Sequence, residues 1–202
     1  MLRSKTPFIP AIASLALCGG QALAQETASV AELVDALQSG GHVLYLRHAM
    51  TETDYADQVA AKLGDCATQR VLSEAGWQQA KAIGAAISGL EIPVGEVISS
   101  EYCRAWQTAD LAFGDYRQDA ALNFAPAEDY KQSDLDMMSA NVTAAISQIP
   151  QDGNLVIVGH DDPFEAATGI YPEPQGVAYV IAPTGDGFTV LGRIGPDEWP
   201  AS

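Results

Sequence analysis

The sequence predicts an α/β fold: a three-layer sandwich with a mostly parallel central sheet flanked by helices. Short apolar runs of buried-strand type alternate with stretches of helical periodicity along the chain. That alternation is what parallel strands joined by crossover helices require. The chemically capable polar residues follow directly on three of the apolar runs, and α/β sheets gather ligands beyond the carboxyl ends of their strands.

Taken in order, Val43-Leu44-Tyr45-Leu46 after Gly40-Gly41 predicts the first strand. Ser73-Glu74 opens a helix to Leu90, with Ala80, Ile83, Ala86, Ile87 and Leu90 at helical spacing. Val94 to Ser99, after Pro93, predicts the second strand. Glu101 to Phe113 predicts a helix closed by Gly114, and Ser133 to Ile149 another, stopped by Pro150. Leu155 to Val158 is a third buried strand. Pro163 to Thr168 is a short helix with proline near its first turn. Gly176 to Ala182 and Gly187 to Ile194 predict two more strands, joined at Thr184-Gly185-Asp186-Gly187.

The N-terminus reads as a secretory signal peptide. Arg3 and Lys5 precede the apolar stretch Phe8 to Leu17, and Ala22-Leu23-Ala24 completes an A-x-A site before Gln25. An apolar core of about ten residues falls short of the roughly 20 that span a bilayer. Residues 1–24 are therefore expected to be removed, leaving residues 25–202 as a single domain in a periplasmic or secreted location. Cleavage removes two basic residues and moves the net charge from −16 to −18. Such a surface repels nucleic acid and anionic lipid, which excludes nucleic acid as a partner. A site for an anion must then be built from individually placed arginines. Beyond the signal there are Arg47, Arg70, Arg104, Arg117 and Arg193. Two cysteines remain, Cys66 and Cys103, and in an oxidising compartment they are expected to form a disulfide.

Arg47-His48 follows the first strand, Ser100 and Arg104 follow the second, and Gly159-His160-Asp161 follows the third. Two histidines and two arginines thus converge at one edge of the sheet. A histidine ring nitrogen can accept a phosphoryl group and pass it to water. The charge on the transferring group calls for electrostatic clamping, and the planar arginine fork suits phosphate oxygens. A carboxylic acid is expected nearby to protonate the leaving oxygen.

Leu46-Arg47-His48-Ala49 resembles the signature of the histidine phosphatase superfamily, with alanine where that family usually has glycine. Ser99 to Ala109 is similar to its second motif, which carries the second arginine. Val156-Ile157-Val158-Gly159-His160 is similar to its third, and Leu72-Ser73-Glu74-Ala75-Gly76 matches the helix start between the first two. The resemblance spans about residues 42–194. It implies His48 as phosphate acceptor, Arg47, Arg104 and His160 as phosphate ligands, and Thr51 at a position where many members carry threonine. For the proton donor it leaves two candidates, Asp161 directly after the second histidine and Glu128 in the intervening region. No metal or organic cofactor is implied. The expected activity is hydrolysis of a small phosphorylated substrate through phosphohistidine. A phosphoglycerate mutase-type phosphotransferase and a non-catalytic binder of phosphorylated ligands are the alternatives.

Overall fold

A computed structural model describes residues 28–52, 61–127 and 129–201. The expected signal sequence and Glu128 lie outside the described residues.

The sheet has six strands: β1 (Val43–Arg47), β2 (Val94–Ser99), β3 (Arg117–Gln118), β4 (Asn154–Gly159), β5 (Ala178–Pro183) and β6 (Phe188–Ile194), in the order β3-β2-β4-β1-β5-β6. β3, β2, β4 and β1 run parallel to one another, and β5 and β6 are added as an antiparallel pair. β1 and β4 are buried along their whole length. This explains why both are continuous apolar runs: strands covered on both faces have no polar alternation.

Helices α1 (Val30–Ser39), α2 (Glu74–Gly89) and α3 (Cys103–Phe113) cover one face. Leu33 and Leu37, Ile83 and Ile87, and Ala105 and Ala109 pack there against Leu44, Leu46, Val156 and Val158. Helices α4 (Gln132–Ile146) and α5 (Asp161–Thr168) cover the other. There Val142, Ile146 and Phe164 meet Val43, Tyr45, Leu155 and Ile157. The expected three-layer arrangement is thus present. No helix among the described residues is long and apolar enough to cross a membrane.

The boundaries differ from the sequence reading in instructive ways. The sequence reading has no helix before Val43, yet α1 is closed by a capping box in which Ser29 and Glu32 satisfy each other's backbone N–H groups. α4 ends at Ile146, short of Pro150. α5 starts two residues before Pro163, which then occupies a first-turn position where its missing N–H costs nothing. α3 starts at Cys103, with Tyr102 as its N-cap.

Candidate active site

The register of the sheet builds the site. Arg47 pairs with Gly159, and the His48 N–H donates to the Gly159 carbonyl at 3.0 Å. On the other side of β4, Ser99 pairs with Val158, and the Ser100 N–H donates to the Val158 carbonyl. The ends of β1, β4 and β2 therefore lie side by side, and the His48 and His160 ring centroids are 5.5 Å apart. Both histidines are fully buried, and Arg47 and Arg104 are 5% and 4% exposed.

The tautomer of His48 follows from its partners. Its Nδ1 lies 2.8 Å from the Ala49 carbonyl, which can only accept, so Nδ1 carries the proton. Nε2 is left with its lone pair and accepts the Nε–H of Arg104 at 3.2 Å. Burial holds the histidine well below its ordinary pKa. The Arg104 charge adds to this, the bond to Ala49 opposes it, and Arg47 and Arg70 lower it further. A neutral ring with a bare Nε2 is the nucleophilic form.

Arg104 is placed by the first turn of α3, with its guanidinium over the Phe124 ring at 5.0 Å and the Tyr102 ring at 5.6 Å. Tyr102 and Phe124 stack at 4.0 Å, and Phe124 meets His160 edge-on. Arg47 donates to the Pro172 carbonyl at 2.7 Å and to Asp161 at 2.5 Å, while its Nε is buried with no hydrogen-bond partner among the described residues.

His160 is held at its backbone by Tyr45, whose hydroxyl accepts the His160 N–H and donates to its carbonyl. This clamp also explains Gly159. A Cβ there would lie 2.2 Å from the Tyr45 hydroxyl oxygen. His160 Nε2 lies 2.8 Å from Ser100 Oγ, and Nδ1 is buried without a partner among the described residues. Its pKa is also lowered well below the ordinary value, first by burial and then by Arg104.

Of the two candidate acids, Asp161 stands against the cluster, accepting from Arg47 and from the Tyr171 hydroxyl at 2.9 Å. Both are bonds a carboxylate accepts. Its neighbour Asp162 accepts from Tyr130 at 2.7 Å, and burial raises its pKa. Thr51 is buried and joined to Gln175, which accepts the Thr51 N–H and donates to its hydroxyl oxygen. These bonds tie the loop after β1 to the loop before β5, and among the described residues no hydrogen bond of Thr51 reaches His48, His160 or either arginine.

The expected disulfide is present. Cys66 and Cys103 are bonded across a separation of 37 residues. Gln69 adds a second tie, accepting the Cys103 N–H and donating to the Lys62 carbonyl. The loop carrying Arg70 is thereby fixed to the turn carrying Arg104, and the Arg70 charge is felt at both histidines. The sequence alone marks Arg70 only through its place inside the disulfide loop.

Residues 43–123 match the family model described as histidine phosphatase superfamily (branch 1). Among solved structures, the protein histidine phosphatase SixA complexed with tungstate is 14% identical, covers 77% of this chain and 97% of its own, and has a TM-score of 0.56. The Rv3214 product of Mycobacterium tuberculosis is 16% identical, with coverage of 74% and 95% and a TM-score of 0.54. A phosphoserine phosphatase mutant from Entamoeba histolytica, in complex with phosphoserine, is 13% identical, with coverage of 79% and 99% and a TM-score of 0.52. No curated protein matches the chain. Residues 43–123, which carry the first two motifs, are thus similar to that family model, and the described domain as a whole has the fold of these structures.

Proposed function

We propose that this protein hydrolyses small phosphate monoesters by transferring the phosphoryl group to Nε2 of His48 and from there to water. The observation that carries the reading is the bare Nε2 of a neutral, buried His48, set between Arg104 and His160. A further donor, Arg47 Nε, is buried without a partner among the described residues, which suits a bound oxyanion.

Phosphate entering this pocket competes with two internal acceptors. Arg104 leaves the His48 lone pair to bind an oxygen, and Nε2 then faces phosphorus. Arg47 exchanges Asp161 for phosphate. Asp161, left beside a charged group, is the proposed acid that gives its proton to the departing oxygen and later takes one from the attacking water. Arg47, Arg104 and Arg70 offset charge on the transferring group.

We further propose that the protein acts outside the cytoplasm after loss of residues 1–24. The Cys66–Cys103 bond supports this, since disulfides persist in oxidising compartments. Intact mass of the secreted form should give an N-terminus at Gln25; an acylated start at Cys18 would contradict it.

The decisive test is a pair of measurements. The His48→Ala protein should lose hydrolysis of an aryl phosphate, and brief exposure of the parent to a 32P-labelled ester should leave label on the protein. The Asp161 ion pair favours a second reading, a binder without a free acid. A parent protein that binds inorganic phosphate yet neither labels nor turns over would establish that reading instead.

A further inference from the structure

Ser100, Asn123 and Glu101 form a hydrogen-bonded chain that ends on His160. Their hydrogen bonds admit only one proton arrangement. Asn123 Nδ2 donates to a Glu101 carboxylate oxygen at 2.8 Å, and the Glu101 N–H donates to Asn123 Oδ1 at 2.9 Å. These two contacts fix which end of the amide is oxygen. Asn123 Oδ1 lies 2.8 Å from Ser100 Oγ, and an oxygen that can only accept must receive the serine proton. Ser100 Oγ also accepts the Tyr102 N–H at 3.2 Å. With its one proton committed, Ser100 can only accept from His160 Nε2, 2.8 Å away. His160 therefore carries its proton on Nε2, and its lone pair sits on the buried, unpartnered Nδ1.

We propose that the Glu101–Asn123–Ser100 chain sets the tautomer of His160, so that the pocket binds phosphate only together with one proton, shared between a phosphate oxygen and His160 Nδ1. This rests on the reading of the pocket as a phosphate site. A dianionic oxygen facing a lone pair is repelled. A protonated oxygen donating to Nδ1, or a dianion accepting from a protonated Nδ1, is attracted, and both carry the same extra proton. A site built for the dianion would hold this histidine in the opposite tautomer.

The other charged or titratable groups around His160 come from several elements. From β1 and its end come Tyr45, Arg47 and the neutral His48. From the loop after β2 and α3 come Glu101, Tyr102 and Arg104, and from the disulfide loop comes Arg70. From α5 and the segment before α4 come Asp161, Asp162 and Tyr130. The arginines stay charged throughout the alkaline range. Burial pushes Tyr45 and Tyr130 above their usual range. The proton shared by His160 and phosphate is thus the one expected to be lost as pH rises above neutrality.

Ser100, Asn123 and Glu101 are positioning residues, and the test reads tautomer and proton uptake rather than turnover. In 15N-histidine-labelled protein, two-bond 1H–15N correlations should show His160 protonated at Nε2 and His48 at Nδ1. The affinity for methylphosphonate, whose dianion carries no proton on oxygen, should fall about tenfold per pH unit between about pH 8 and 9.5, as loss of one required proton demands. Asn123→Ala frees the Ser100 hydroxyl to donate to His160 Nε2, moving the histidine proton to Nδ1. Methylphosphonate affinity should then change less than about threefold per pH unit over the same window, the slope of a site that binds the dianion without proton uptake. Should Asn123→Ala fail to fold, Ser100→Ala must also flatten the slope, with Ser100→Thr restoring it. A parent protein with pH-independent methylphosphonate affinity, or with His160 protonated at Nδ1, overturns the proposal and leaves the phosphatase reading standing. The stated slope and tautomer in a protein that never turns over a phosphate ester overturn the phosphatase reading alone.

Discussion

Arg104 donates its Nε–H to Nε2 of His48 at 3.2 Å, so the group proposed to clamp the phosphate also covers the nucleophile's lone pair. One residue thus holds the lone pair of the histidine on Nε2 and, in the proposed reaction, supplies positive charge to the transferring group.

Arg104→Lys should fail as a replacement. An ammonium is a point charge without the planar fork, and it cannot hold both His48 and a phosphate edge. We expect kcat/KM for an aryl phosphate to fall by about 10²- to 10³-fold, the usual cost of one preorganised oxyanion donor. A lysine variant within threefold of the parent would show that Arg104 is not a phosphate ligand.

Asp161→Asn should separate substrates by leaving group. An aryl phosphate departs as a weak base and needs little protonation, whereas an alkyl phosphate needs an acid. Loss of about 10²- to 10⁴-fold on an alkyl ester, with a far smaller loss on the aryl ester, identifies the acid. If Asp162→Asn or Glu128→Gln shows that split and Asp161→Asn does not, the role moves accordingly.

His48 and His160 both have folded-state pKa values held below the ordinary 6.5. Below about that pH the unfolded chain binds protons the folded protein does not. Their contribution to stability is therefore complete above pH 6.5 and is lost as pH falls through it. Two such groups give a slope of up to about 2.7 kcal/mol per pH unit. Denaturant titrations between pH 7.5 and 5 should show this loss, and His160→Gln should remove part of the slope.

Replacing both cysteines by serine should lower stability by about 3–4 kcal/mol, or roughly 10 °C in Tm, on the chain-entropy view of a 37-residue loop. It should also weaken phosphate binding, because the bond ties the Arg70 loop to the helix that presents Arg104. Unchanged phosphate affinity in the destabilised variant would limit the bond to a structural role.

Tyr45→Phe should destabilise by about 2 kcal/mol, since it strips one hydroxyl from two buried backbone groups of His160. Its ring, packed 4.4 Å from Phe164, stays in place. Thermal unfolding measures the loss. A parent-like Tm would mean that these backbone groups find other partners.

The strand-end pattern was readable because Arg47-His48 and Gly159-His160 are local: each follows a continuous apolar run, and register alone brings them together. The disulfide was readable from composition and expected compartment. What lay beyond reach depended on contacts across the fold. Asp161 is a candidate acid from its place after the second histidine, but its bonds to Arg47 and to Tyr171, ten residues downstream of it, follow only from the fold. Asn123 sits in a segment with no periodicity, and its role follows from two hydrogen bonds that settle its amide orientation. α1 was missed although Ser29 and Glu32 have capping-box spacing, which is a local signal.

β1, the strand that leads into His48, lies between β4 and β5, both from the last third of the chain. During synthesis, His48 leaves the ribosome early but has no neighbours to form a pocket with. Its strand gains a parallel neighbour only once β4 is available, and an antiparallel one only once residues up to 183 are. Formation of the pocket therefore waits on the longest-range pairings in the protein, which makes it a late event in folding. A chain halted before β5 would contain His48, Arg47, Arg104 and His160 and yet leave one edge of β1 unpaired.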